Sequence, residues 1–252
     1  MTLSMPGARR IGILQTANGD VEFARSFPSD GENVGAQLTS LRPQWEIDVI
    51  PVTEGVFPPS VYAHDAYVIT GSPASVHDAL PWIKQLGVFI RELHTARVPT
   101  VGLCFGHQAI AAALGATVGR NQDGWALGVA STHFECHERW MDPPQDAVVL
   151  YAAHNEQVTA LPSEARQLGG NAFCPVGSFA VGDHFFTTQY HPEFSEAFMQ
   201  GLVGHVSTTV DASVIDTARQ QLRQTVDAHI FVRWIVQFLE VERPFRSGQY
   251  RG

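Results

Sequence analysis

The stretch from Val98 to Gly115, VPTVGLCFGHQAIAAALG, leaves the backbone few paths. Val98 to Val101 is a short apolar run that reads as a buried strand. Gly102-Leu-Cys-Phe-Gly106 then reverses the chain, and His107 to Leu114 reads as a helix stopped by Gly115. Strand, tight Gly-x-nucleophile-x-Gly turn and helix together make a nucleophile elbow, with Cys104 in place of serine. A side chain at either bracketing glycine would crowd the turn that holds the nucleophile at the strand tip. The following helix aims its N-terminal amides and positive dipole end at the sulfur, which favours thiolate.

The flanking segments supply a sheet for this strand. Ile11 to Gln15 is an apolar run, and Thr16 to Gly31 is a polar loop. Val34, Leu38 and Leu41 fall at helical spacing. Trp45 to Ile50 alternates as a strand that Pro51 limits. Tyr67 to Thr70 is a further strand, followed by a Gly71-Ser-Pro loop, and Trp82, Leu86, Phe89, Ile90 and Leu93 trace one face of a helix. Strands alternating with helices argue for a parallel α/β sheet covered on both faces. Ligands in such sheets sit at the carboxyl ends of strands, where the elbow and the Gly71-Ser-Pro loop both lie.

After Gly115 the pattern changes. Trp125 to Thr132, Ala147 to Tyr151, Phe179 to Val181 and Phe185 to Gln189 are short strand candidates, the last two joined by a Gly182-Asp183 turn. They are expected to add antiparallel strands, with His191-Pro-Glu193 ending the last. Phe198, Leu202 and Val206 suggest a helix, Asp211 to Leu222 is weakly amphipathic, and Ile230, Phe231, Trp234, Ile235, Phe238 and Leu239 form a strong apolar stripe. Arg243 to Gly252 is polar and expected to fray.

Bulk properties exclude several classes of function. A net charge of -9 argues against a nucleic-acid surface but not against a small anionic ligand. No apolar run reaches membrane-spanning length, and Met1 to Arg10 lacks an apolar signal core, so a cytoplasmic protein is expected. Three cysteines in 252 residues do not make a disulfide framework. No phosphate-cradling loop or nucleotide fingerprint occurs, so no cofactor is expected. His133, Cys136 and His137 match no strong zinc spacing.

Three stretches together resemble the class I, triad-type glutamine amidotransferases. They are Gly102-Leu-Cys-Phe-Gly-His-Gln108, Gln189-Tyr-His-Pro-Glu193 and Ile69-Thr-Gly-Ser-Pro-Ala-Ser-Val76, and they follow the family's order. Within the family the chain looks most like free-standing members related to the glutaminase domain of GMP synthetase. The expected architecture is a flavodoxin-like three-layer α/β sandwich with a mostly parallel sheet and added antiparallel strands. One domain over residues 1–252 is expected, with a catalytic core over about 10–195 and a helical extension from about 196.

By this resemblance Cys104 is the nucleophile, His191 the general base and acid, and Glu193 the residue that orients the imidazole. In extended backbone, positions 191 and 193 face the same way. Backbone N–H groups of Ser72 and Phe105 would form the oxyanion hole, although the family often has glycine where Ser72 stands. Gly71, Ala74, Gln108, Trp125, His154, Asn155 and Glu156 would help hold glutamine or another γ-glutamyl amide. Asn155 and Glu156 depart from the family's commoner pair, and Trp125 reads equally well as a core aromatic. No room remains for a fused synthetase domain, so ammonia transfer would need a separate synthetase chain. A stand-alone hydrolase of γ-glutamyl amines or peptides, and a weakly active regulatory subunit, are the alternatives.

Overall fold

The computed structural model describes residues 7–18 and 22–241. In chain order the elements are β1 (Arg10–Gln15), α1 (Asp30–Leu41), β2 (Glu46–Pro51), β3 (Ala66–Ile69), α2 (Pro81–Thr95), β4 (Thr100–Leu103), α3 (Phe105–Ala113), β5 (Thr117–Arg120), β6 (Ala126–Phe134), β7 (Ala147–His154), β8 (Glu156–Ala160), β9 (Ala165–Gly170), β10 (Ser178–Val181), β11 (Phe185–Thr188), α4 (Glu196–Val206), α5 (Ala212–Gln221) and α6 (Ala228–Glu240). The tail from Arg243 lies outside the described residues.

One nine-stranded sheet runs β2-β1-β3-β4-β11-β10-β9-β6-β7. Its first five strands are parallel. With β11 as the fifth, they follow the doubly wound order seen in flavodoxin-like folds. From β11 onward the pairing is antiparallel. The α/β expectation with added antiparallel strands therefore holds. β5 and β8 form a separate two-stranded ribbon.

Two cores flank the parallel strands. One gathers Val34 and Leu38 of α1 and Phe231, Trp234, Ile235 and Phe238 of α6 against Ile11, Val68, Val101 and Phe186. The other gathers α2 and α3 against Leu14, Tyr67, Ile69 and Phe185. All five apolar residues read as one face of α2 are buried. Leu41, by contrast, is 39% exposed, because α1 ends there and Arg42 turns away to pair with Glu240 at the end of α6. The start of α1 is fixed by a reciprocal capping box between Ser29 and Glu32.

A third cluster joins α4 and α5 to Leu127 and Tyr151. Here the expected stripe is offset. Met199 and Val203 are buried in α4, while Phe198, Leu202 and Val206 are only partly so. The helix has neighbours on two sides: the α5 cluster takes Met199 and Val203, and Phe198 packs against Phe23 and Phe27 instead. Among the described residues no helix is long and apolar enough to cross a membrane.

The elbow is closely packed on backbone. A Cβ on Gly106 would lie 2.3 Å from the Ile69 carbonyl oxygen, and one on Gly102 would lie 2.7 Å from the Gly106 carbonyl. Both obstacles are backbone and cannot swing aside. Gly106→Ala should therefore destabilise the fold by about 3 kcal/mol or more. Gly204→Ala, in α4 with nothing within 4 Å of the new methyl, should stabilise it by up to about 1 kcal/mol. Urea unfolding of the two variants checks the contrast.

Candidate active site

Cys104 sits between β4 and α3 with φ 48° and ψ −100°. A β-carbon residue in that region costs on the order of 1–3 kcal/mol, which surrounding contacts must offset. They are present. The Cys104 N–H donates to the Thr188 carbonyl at 2.8 Å, and the Gly106 N–H to the Thr70 carbonyl at 3.1 Å. Thr16, at the end of β1, donates its hydroxyl to the Gly71 carbonyl at 2.7 Å and receives support from Thr70. The elbow and the loop after β3 are thereby tied together. Cys104 is 6% exposed.

His191 comes to the sulfur from the other side. The strand expected to carry it ends earlier, at Thr188. His191 forms a single bridge to Tyr151, donating its N–H at 2.9 Å, and Pro192-Glu193 is a turn rather than extended backbone. Glu193 still reaches the ring: its Oε1 lies 2.7 Å from His191 Nδ1, with both side chains buried. The turn supplies this approach because Pro192 limits the backbone while Gln37 of α1 donates to the Pro192 carbonyl at 2.9 Å. With Nδ1 held by Glu193, Nε2 is the nitrogen left for the sulfur. Nε2 is buried and lacks a well-aligned hydrogen bond, a looseness common before substrate binds.

Burial works against a charged His191, but the Cys104 thiolate and then Glu193 outweigh it and hold its pKa well above the ordinary histidine value. An imidazolium held between the Cys104 sulfur and the Glu193 carboxylate is the state of His191 that this arrangement favours. Phe194 stacks on the His191 ring at 3.9 Å and 7°. A Cβ on Gly71 would lie 3.0 Å from His191 Cε1 and 3.7 Å from Cys104 Cβ, so the loop after β3 passes directly beside both.

The other expected residues fall around this centre unequally. Phe105 opens α3, where its N–H has no carbonyl one turn earlier to bond. The Ser72 hydroxyl accepts the Ala74 N–H at 3.2 Å and stiffens the loop. Ser75 Oγ donates to Glu156 Oε2 at 2.7 Å, linking this loop to the β7–β8 connection. The Gln108 amide donates to the Glu156 carbonyl at 2.7 Å and to Gln189 Oε1 at 3.1 Å. His154 Nδ1 bonds the same Glu156 carbonyl at 3.1 Å. Asn155 accepts the Asn121 N–H through its backbone. Trp125 packs on the apolar cluster of Leu127, Tyr151 and Met199, which continues to Phe194 against His191. No group of three His, Cys, Asp or Glu side chains suited to a metal ion occurs among the described residues.

The family model described as Glutamine amidotransferase class-I matches residues 21–200. The chain belongs to the class I glutamine amidotransferase family. Gamma-glutamyl peptidase 3 of Arabidopsis thaliana is 30% identical over 193 residues, covering 73% of this chain and 72% of the relative. A GMP synthase [glutamine-hydrolyzing] of Aeromonas salmonicida is 28% identical over 200 residues, covering 72% of this chain but 36% of that enzyme. In structure, a glutamine amidotransferase of Thermotoga maritima superposes with a TM-score of 0.69 at 17% identity, over 91% of this chain and 95% of that one.

Set in this class I framework, one acidic residue stands out that sequence reasoning passed over. Asp30 begins α1, the helix that braces Pro192, and an acid there reads in sequence only as a complement to the helix dipole. Although the residue keeps some accessible surface, burial of the carboxyl and then the charge of Glu193 push it up to about 7, with His191 opposing. A carboxyl raised above its unfolded value of 3.8 holds its proton more tightly in the folded state. Stability is then lost as pH rises from about 4 through about 7 and stays low above that. Asp30→Asn should raise the melting temperature by a few degrees at about pH 8 and change it little at about pH 4. Thermal melts of both proteins across that range check the direction.

Proposed function

We propose that this chain hydrolyses the γ-carboxamide of glutamine, or a related γ-glutamyl amide, through a thioester on Cys104. The observation that carries this reading is the buried Cys104–His191–Glu193 constellation on a strained elbow. It rests on the Nδ1–Oε1 contact of 2.7 Å and the raised His191 pKa. Family membership supports the reaction class.

The Cys104 thiolate attacks the γ-carbonyl carbon, and the carbonyl π electrons move to oxygen. Backbone N–H groups of Ser72 and Phe105 receive this oxyanion, a contribution worth about 3 kcal/mol for one such donor. The His191 imidazolium gives its proton to the departing nitrogen, the C–N bond breaks, and ammonia or an amine leaves. His191, now neutral, takes a proton from water as the water attacks the thioester carbon. The C–S bond breaks, glutamate departs, and the thiolate–imidazolium pair is restored. Glu193 keeps the imidazole in the tautomer with Nε2 toward the sulfur. Gly71, Ala74, Gln108, His154, Asn155, Glu156 and Trp125 are the residues proposed to hold the substrate, and the C-terminal helices complete two of the three apolar clusters.

In an amidotransferase the released ammonia passes to a synthetase, the partner this reading proposes. A second reading dispenses with that partner. The chain matches 72% of a γ-glutamyl peptidase but 36% of a GMP synthase. Likeness to the peptidase over 73% of this chain supports γ-glutamyl peptides or amines as substrates of the same site.

Glutamate release by the purified chain from L-glutamine and from a panel of γ-glutamyl peptides separates these readings. Cys104→Ala should abolish release from every substrate by at least about a thousandfold. Unchanged release in that variant removes the thioester mechanism. Glu193→Gln should cost less than His191→Ala in kcat, because the orienting group does not itself transfer the proton. The reverse order would mean the two roles are exchanged.

A further inference from the structure

The motif Gln189-Tyr-His-Pro-Glu193 contains one residue to which the mechanism above gives no task. Gln189 is fully buried, its N–H is fixed on the Gly177 carbonyl at 2.9 Å, and its side-chain Nε2 lies 3.5 Å from Cys104 Sγ. The direction of that contact can be decided by counting donors. The Glu156 backbone carbonyl can only accept, so the Gln108 atom 2.7 Å from it must be the NH2 end. That same nitrogen lies 3.1 Å from one end of the Gln189 amide, which must then be its oxygen. The remaining end of Gln189, directed at the sulfur, is therefore NH2. A backbone carbonyl thus sets the polarity of both amides, and the outcome is an N–H donated to Sγ.

We propose that Gln189 is a further catalytic residue, donating a hydrogen bond to the Cys104 thiolate, and that Gln108 is a positioning residue that holds the Gln189 amide in the donating orientation. The proposal rests on the reading of Cys104 as the nucleophile. A thiolate accepts such a bond far better than a thiol does, so the donor favours the charged form. It also gives Gln108 a task beyond substrate contact, because the NH2 end of its amide is already committed to Glu156 and Gln189.

Chain-length and volume are kept by methionine, which lacks a donor and adapts to irregular sites. The test is iodoacetamide alkylation of the full chain from about pH 5.5 to about pH 9.5, resolved by peptide mass spectrometry so that Cys136 and Cys174 are not counted. Gln189→Met and Gln189→Leu should slow alkylation of Cys104 about tenfold near neutral pH and leave the rate at the alkaline end unchanged. Gln108→Met should shift the curve the same way by less. kcat/KM for hydrolysis should fall in parallel in each variant. Melting curves identify which variants are folded, and the methionine variant decides if the leucine variant is not. Alkylation curves for folded Gln189→Met that superimpose on wild type overturn the proposal. A loss of rate that is equal at every pH does so too, since it would indicate altered packing rather than an altered charge state. If hydrolysis instead survives Cys104→Ala, the catalytic reading fails separately, and the alkylation curves still decide whether Gln189 donates to the sulfur.

Discussion

The carboxyl end of β3 and the first turn of α3 are in direct backbone contact, and the site depends on that closeness. The Gly106 N–H reaches the Thr70 carbonyl, and no β-carbon can be accommodated between Gly106 and Ile69. This contact sets the distance between the loop at Gly71 and the sulfur of Cys104. It also holds Cys104 at a positive φ that its side chain disfavours. The strain is local, and the cost is spread over backbone bonds from β11 and β3 and over the Thr16–Thr70 hydroxyl pair. Parallel strand order brings these ends together, because β1, β3, β4 and β11 all finish at the same edge of the sheet.

Much of this was legible in the chain itself. The elbow reads from its two glycines and the apolar run before them, and α2 reads from five residues at helical spacing, all of which are buried. The strands that could not be read were β5, β8 and β9. Ala165–Gly170 has little apolar content and two terminal glycines, and Glu156–Ala160 carries a half-exposed pattern on a ribbon of its own. Period-two alternation is weak in segments this short. The reading of His191 and Glu193 reached the correct pairing through the wrong backbone. Two residues in a strand and two residues across a proline turn can both bring a carboxylate to an imidazole, and spacing alone does not separate them.

What sequence could not supply was the direction of contacts between distant segments. Asp30 and Glu193 are far apart in the chain, and only packing of α1 against Pro192 brings their charges into one region. Gln108 and Gln189 each belong to a recognisable motif, yet neither motif says that one amide orients the other. The information lies in a third party, the carbonyl of Glu156, placed there by the turn between β7 and β8. Glutamine pairs of this kind have no preferred polarity of their own, so a fixed acceptor at one end is required to give the chain of bonds a sense.

The three buried histidines near the sulfur show how selective this electrostatic arrangement is. Burial lowers His107 to about 3, with the charge of His154 adding to the effect, and lowers His154 to about 4, with His191 adding to it. His191 is as deeply buried, yet it moves the opposite way, because Cys104 and then Glu193, one toward each ring nitrogen, favour its charged form. Depth therefore does not choose which imidazole carries charge; the neighbouring anions do. Neutral His107 and His154 in turn leave His191 as the one of the three whose charged form is favoured. The charge is thereby held on the ring whose Nδ1 Glu193 has already fixed.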